Sequence, residues 1–462
     1  MFSYIANITI TLKEMKNKKI VLIPVETIKR ELDSKICLAH EIANEDVVCI
    51  VAQHNYLNKI IKHFKDGVFL GKNIFPDLFP TTSKYYKELK KHGFSLLYYH
   101  EEGGLYAGDE NEWKLYLKRQ IDESLLEEDD AILCWGPYQT NYYNENSPKF
   151  TAHNVGVGRL ELRERDILRK MIQEFSPVKM KDFILINTNF AIVNHHIGYL
   201  ETLKWDQLKN METRLWYADT FQIMGSFLKL ILKLLHNNPK KQFVLRPHPS
   251  ESLDVYTEYF KNYDNLTISK EFTAPDWINK CKVVIQNNCT TALEAFFLNK
   301  PIINYATFES THSVNILQDF GVSASNFQEV QGLIEDIENC VEQQKDPKQS
   351  KVCTLIDNFN HAESPVQKIK KIVHNSLQTK ETNTLDLKKL NTVYLKANFR
   401  NTLVKFPRYL FPNKLAAYKM YISYFNGFSR EYVESRVRYL NENKQRNTAV
   451  NYLNEELFIL GG

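Results

Sequence analysis

The stretch Gln242-Phe243-Val244-Leu245-Arg246-Pro247-His248-Pro249 decides how this chain is read. An apolar run of strand length passes without a break into a rigid polar turn. Such a run, with no polar alternation, suits a parallel strand covered on both faces. The two prolines fix the backbone around the histidine and hold its imidazole in one direction. A loop of this kind sits at the C-terminal end of its strand, where open parallel sheets bind their ligands.

Working outward, the same pattern recurs. Strands are expected at 19–25, 47–51, 68–70, 94–99 and 131–135, with helical spacing between them, as at Ile36, Leu38, Ala39, Ile42 and Ala43. The alternation pauses at a charged helix over 161–175, closed by Ser176-Pro177, and restarts with Phe183-Ile184-Leu185-Ile186. A long helix over 215–236 follows, then strands at 242–245, 266–268, 283–285 and 301–305. Strands separated by helices form βαβ units and parallel sheets. The chain is therefore α/β, with two doubly wound domains at 1–175 and 176–378 that leave a cleft between their strand ends.

Beyond 378 the composition changes. Residues 381–462 carry 13 Lys and Arg against 7 Asp and Glu, a net +6 that exceeds the whole-chain +4. Phe399-Arg400, the run 405–412 and Arg436-Val437-Arg438-Tyr439-Leu440 give this region a basic, aromatic, amphipathic character. It is expected to be a helical extension, 379–462. It either packs back on the two domains or makes a peripheral contact with an anionic membrane face.

Three groups of residues carry chemistry at the expected cleft. Arg246 supplies a permanent planar cation suited to phosphate, and His248 can donate to a phosphate or protonate a departing oxygen. Pro249 and Ser250 continue the same loop. In the second group, the strand Val283-Val284-Ile285 ends in a polar turn, and a helix begins at Asn288-Cys289-Thr290-Thr291. Its first N–H groups and the hydroxyls of Thr290 and Thr291 suit an anion, while simple capping by Asn288 or Thr290 explains the same residues. The third is His100-Glu101-Glu102-Gly103-Gly104 after the strand 94–99. A carboxylate there can deprotonate a hydroxyl or attack an anomeric carbon, and an exposed acidic turn is the plainer alternative. Asn187 and Asn189, after the first strand of the second domain, offer amides to a sugar or phosphate. Glu26 and the stretch Arg30-Glu31-Leu32-Asp33 follow the first strand of the first domain, where they are expected to face the cleft and suit an acceptor. His195-His196 lacks a spaced carboxylate partner, so no metal site is expected.

Charge and cysteine usage narrow the classes. A net charge of +4 on 462 residues gives no reason to expect nucleic acid. Seven cysteines, an odd count without any CxxC pair, indicate a reducing compartment and neither a disulfide framework nor a zinc site. No apolar run of membrane-spanning length occurs, and the first residues lack the basic and apolar regions of a signal peptide. The expectation is a cytoplasmic protein, at most peripheral at the inner face of the membrane.

In order, Ile23-Pro24-Val25-Glu26, Arg30-Glu31-Leu32-Asp33, Glu101-Glu102-Gly103, Asn187-Thr188-Asn189-Phe190, the 245–251 loop and the 288–295 segment resemble the bacterial surface-carbohydrate biosynthesis proteins. The wider similarity is to glycosyltransferases of the GT-B type that use CMP-activated acidic sugars: bacterial sialyltransferases and the β-Kdo transferases of capsule and O-antigen (lipopolysaccharide) assembly. The resemblance covers about 19–376. It implies two Rossmann-like domains facing a cleft, the first for the acceptor and the second for the nucleotide-sugar donor, with a CMP-sugar donor, no cofactor or metal, and a glycan or glycolipid acceptor. It makes Glu102 the catalytic carboxylate, His248 the group that contacts the CMP phosphate and assists its departure, and Thr290 and Thr291 the holders of that phosphate. A polyol-phosphate or UDP-sugar transferase of similar fold is one alternative. A non-catalytic glycan-binding scaffold of the assembly complex is another.

Overall fold

The structure, a computed structural model, describes residues 14–72, 80–99, 104–121, 123–147, 149–205, 211–308, 315–344, 350–359, 363–396 and 425–462. The first six strands are β1 (Met15–Val25), β2 (Val47–Gln53), β3 (Gly67–Gly71), β4 (Phe94–Tyr99), β5 (Ala131–Cys134) and β6 (Thr151–Asn154). They lie side by side in the order β2-β1-β3-β4-β5-β6, all parallel. β1 is buried from Ile20 to Val25, as a strand covered on both faces must be.

The second sheet holds β7 (Ile184–Asn187), β8 (Phe243–Arg246), β9 (Leu266–Ile268), β10 (Val283–Gln286), β11 (Ile302–Tyr305) and β12 (Val322–Ala324). Its order is β12-β11-β10-β7-β8-β9, again all parallel. Strand order reverses between β7 and β10, and in the first sheet between β1 and β3. Crevices open at such points. The fold is thus the expected α/β pair of doubly wound, Rossmann-like sheets across a cleft. Apolar residues of the first sheet, of the helix Ile167–Phe175 and of one face of the second sheet form one core. The other face of the second sheet packs on the helix Met211–Asn237.

The chain crosses between the domains twice, and the crossings are tied together. Asn358 accepts the Val157 N–H at 2.7 Å and donates to the Val157 carbonyl at 2.9 Å. Arg163 donates to the Asn358 carbonyl at 2.6 Å. Gly136 is needed here, because a Cβ would lie 2.3 Å from the Leu355 carbonyl carbon. The helix Pro365–Leu377, expected in the second domain, packs instead on the first. Its Gln367 donates to Glu41 of the helix Ile28–Ile42 at 3.1 Å.

The region 379–462 differs most from expectation. Its described part holds helical residues over 387–396, the helix Arg430–Lys444, and three strands: β13 (Asn383–Leu385), β14 (Ala449–Asn454) and β15 (Leu457–Gly461). β13 pairs with β1, and the hairpin of β14 and β15 adds antiparallel to β2. The physical reason lies in Leu457-Phe458-Ile459-Leu460, an apolar run that is wholly buried between β14 and β2. The aromatic stretches at 399–400 and 405–412 lie outside the described residues. Among the described residues, no helix is long and apolar enough to cross a membrane.

Candidate active site

A cleft of about 750 Å³ lies between the domains. From the second sheet it is lined by Asn187, Arg246, Pro247, His248, Pro249 and Ser250, and by Thr290 and Thr291. From the first domain come Thr27 to Arg30 and Leu32 to Ser34, at the start of the helix Ile28–Ile42. The expected His-Pro loop and helix start therefore meet in one place. Asn189 and Asn288 stand together at the edge, where the Asn189 amide donates to the Asn288 carbonyl at 3.2 Å. Glu102 lies outside the described residues.

The two switch points differ in charge balance. At the first sheet, Glu31 is buried and satisfied by its own neighbours. Lys72 lies 2.5 Å from one carboxylate oxygen and Lys35 3.1 Å from the other. These cations hold the Glu31 carboxyl down at about 2 against the opposing effect of burial. Lys72 also pairs with Glu26 at 3.0 Å. This crevice is filled by its own ions.

At the second sheet the balance is open. Arg246 ends β8 beside its register partner Asn187 on β7. It is 9% exposed, yet no carboxylate oxygen among the described residues lies within 4 Å of its guanidinium. Among the described residues Nε has no hydrogen-bond partner, and Nη2 makes a long contact, 3.5 Å, to the Phe272 carbonyl. Burial pulls the Arg246 pKa down, and Glu294 is the first group to oppose it. Lys29 and Lys270 are also depressed, each chiefly by burial, and Lys29 next by repulsion from Arg246. A buried cation without an anion is costly, and a phosphate supplies the missing charge with bidentate geometry.

The His248 ring has a defined proton position. Its Nδ1 accepts the Ser250 N–H at 3.2 Å, which leaves the proton of the neutral ring on Nε2. The loop that carries it is folded around Glu251, a fully buried residue. One Glu251 oxygen accepts from the His248 N–H at 2.9 Å, the Thr188 hydroxyl at 2.9 Å and the Phe190 N–H at 3.2 Å. The other accepts the Tyr256 hydroxyl. Burial pushes the Glu251 carboxyl up, and these hydrogen bonds pull it back.

The helix start is weaker than expected as an anion site. The helix Thr291–Phe297 has only seven residues, and Thr290 makes no capping hydrogen bond. Its early N–H groups are used locally: Ala292 donates to the Cys289 carbonyl at 3.0 Å and Leu293 to Thr290 at 3.1 Å. Thr291 Oγ1 instead accepts from the Asn187 amide at 3.1 Å. The helix contributes Glu294, whose Oε1 pairs with Arg159 of the first domain at 2.8 Å. Glu294 Oε2 is buried with no hydrogen-bond partner among the described residues and can accept a ligand hydroxyl.

Sequence reading did not single out Arg159, Lys270 or the part played by Glu251. Arg159 follows β6, a strand too short and polar to notice. Lys270 follows β9, and its ammonium binds the Pro249 carbonyl at 3.1 Å and that of Glu251. His195 and His196 stack with ring centroids 4.3 Å apart. His196 Nδ1 lies 2.9 Å from the Ser250 carbonyl, so it braces the loop.

No family model matches the sequence, and no curated protein does. Among solved structures the chain is similar to Staphylococcus aureus MnaA with UDP, at 12% identity and a TM-score of 0.43 over 72% of this chain and 92% of that one. It is similar to the Methanocaldococcus jannaschii UDP-GlcNAc 2-epimerase in complex with UDP-GlcNAc and UDP, at 13% identity and a TM-score of 0.45 over 78% and 99%. A third is the wall teichoic acid polymerase TagF, at 11% identity and a TM-score of 0.40 over 79% and 90%. At these identities the likeness concerns the course of the chain, and the fold rests on the strand order given above.

Proposed function

We propose that this protein is a glycosyltransferase of the GT-B type that takes a sugar from a nucleotide-activated donor and passes it to a bacterial surface glycan or glycolipid. The observation that carries this reading is Arg246, a buried cation at the second switch point with no carboxylate within 4 Å among the described residues. A donor phosphate completes the charge balance. His248, with its proton on Nε2, hydrogen-bonds the bridging oxygen as the bond to the sugar breaks. The acceptor hydroxyl oxygen bonds the anomeric carbon and gives its proton to Glu102, and the leaving phosphate keeps the electron pair beside Arg246. No cofactor or metal enters this scheme.

The finer assignment is a CMP-activated nonulosonic acid such as Kdo, with Glu102 as catalytic carboxylate. It is supported by the motif resemblance and belongs with a cytoplasmic site of action, at the inner face of the membrane.

Calorimetry with CMP, CDP and UDP tests the phosphate grip. Mass spectrometry of turnover across a panel of CMP-nonulosonates tests the donor. The expected result is CMP binding that weakens about 10–100-fold in Arg246→Met. Binding of CDP or UDP alone moves the reading to a polyol-phosphate or UDP-sugar transferase. Binding of none, or equal binding by the Arg246 variant, overturns it.

A further inference from the structure

The first-domain wall of the cleft carries one carboxylate that the phosphate grip does not use. Asp33 sits on the helix Ile28–Ile42 and lines the cleft. Its Oδ1 accepts the Tyr432 hydroxyl at 2.7 Å, and Arg436 Nε lies 3.5 Å from the same oxygen. Both partners come from the helix Arg430–Lys444. The Arg436 guanidinium is itself held between rings, 4.3 Å from Phe175 and 3.5 Å from Tyr432. Oδ2 of Asp33 takes no hydrogen bond among the described residues.

A carboxylate with one oxygen clamped and the other unclaimed, in a cleft wall, is oriented to receive a donor. That donor is not a second anion, since Asp33 would repel phosphate or a sugar carboxylate. The surroundings fit a neutral hydroxyl. Ser34 is adjacent, and Leu168 and Ile172 line the same cleft with apolar surface suited to the face of a sugar ring. We propose that Asp33 is the hydroxyl-binding residue of an acceptor subsite for a neutral carbohydrate, and that the helix Arg430–Lys444 belongs to the active site by fixing its carboxylate. This rests on the transferase reading and adds to it where the second substrate binds.

Burial pushes the Asp33 carboxyl up, with Arg436 and the Tyr432 hydroxyl opposing that and Asp276 across the cleft reinforcing it. The thiol of Cys37, one turn along the same helix, is raised chiefly by burial and next by Asp33. The subsite therefore weakens as pH falls through the carboxyl range, because a protonated Asp33 accepts less well.

The test measures transfer from the donor established by the turnover panel to fluorophore-tagged mono- and disaccharide glycosides. CMP affinity is read by calorimetry in the same proteins. Asp33→Asn is expected to raise the acceptor KM at least 10-fold, with CMP affinity unchanged. Tyr432→Phe, which keeps the carboxylate but releases its clamp, is expected to raise KM by a smaller factor and remains informative if Asp33→Asn does not fold. An unchanged acceptor KM in both variants overturns the proposal. Loss of CMP binding in step with transfer also overturns it, because Asp33 then serves the donor. If the wild type transfers to no acceptor, the transferase reading fails and takes this inference with it, and that failure is visible before any variant is made.

Discussion

Glu251 receives the backbone N–H of His248 at 2.9 Å, three residues back along the same loop, and on the same oxygen it receives the hydroxyl of Thr188 from the turn after β7. Two cleft-facing segments are thereby joined through one buried carboxylate. All its partners donate, so the site requires an acceptor-only group. Glu251→Gln turns an amide N–H toward donors and is expected to cost about 2–3 kcal/mol of stability. It is also expected to lower nucleotide affinity about 10-fold through the loosened loop. Nitrogen NMR of His248 checks the cause: the Nε2–H tautomer that dominates the wild type becomes a mixture. An unaltered histidine spectrum with weakened binding counts against positioning.

Arg246→Met separates function from stability. The wild-type cation is buried with no carboxylate within 4 Å among the described residues, and removing it relieves that cost. The variant is expected to unfold at higher denaturant concentration, by about 1–3 kcal/mol, while CMP affinity falls about 10–100-fold. A variant that loses stability shows that Arg246 is balanced by a partner in the free protein.

Arg159→Met tests the bridge between the domains. It leaves Glu294 buried and unpaired, which costs about 3–5 kcal/mol. The double variant Arg159→Met with Glu294→Leu is expected to recover most of that loss, because both charges are then gone. Urea unfolding of the two single variants and the double variant gives the coupling directly.

A pH effect is expected at the crossing between the domains. Burial raises the Glu161 carboxyl to about 7, against a hydrogen bond from Ser364. A carboxylate raised on folding is protonated in the folded state while the unfolded state ionises. Its contribution is thus fully present below the unfolded value and is lost as pH rises through about 7. The difference in stability between wild type and Glu161→Gln should therefore change by up to about 3 kcal/mol between pH 4.5 and pH 8, in favour of the variant at the higher pH. A difference that stays constant over that window removes Glu161 from the account.

What the sequence made legible follows from range. β8 and β10 are continuous apolar runs, and their loops carry chemistry within a few residues, so Arg246, His248, Asn187 and Thr291 could be assembled before any coordinates. That Arg246 has no carboxylate beside it among the described residues is a fact about three-dimensional neighbours. The clamp on Asp33 joins residues 399 positions apart, and the link from Thr188 to Glu251 spans 63. The hairpin of β14 and β15 was hidden for another reason. Net charge drew attention to the lysines and arginines of 379–462, while the alternation in Ala449-Val450-Asn451-Tyr452 and the apolar run after it carried the structural information. Arg436 shows the same, since a residue that adds to that net charge is 9% exposed and lies 3.5 Å from Asp33.

The pairing of β15 with β2 bears on how the protein is made. Ala52 and Leu457 are register partners, so β2 emerges from the ribosome long before the strand that covers its edge. Until then the apolar edge of β2 is an open template for another chain. The second domain is complete in sequence well before that edge is closed, so synthesis passes through a species with one finished sheet and one unfinished one. Slow translation, or expression at high temperature, should therefore favour aggregation of nascent chains over loss of the mature fold.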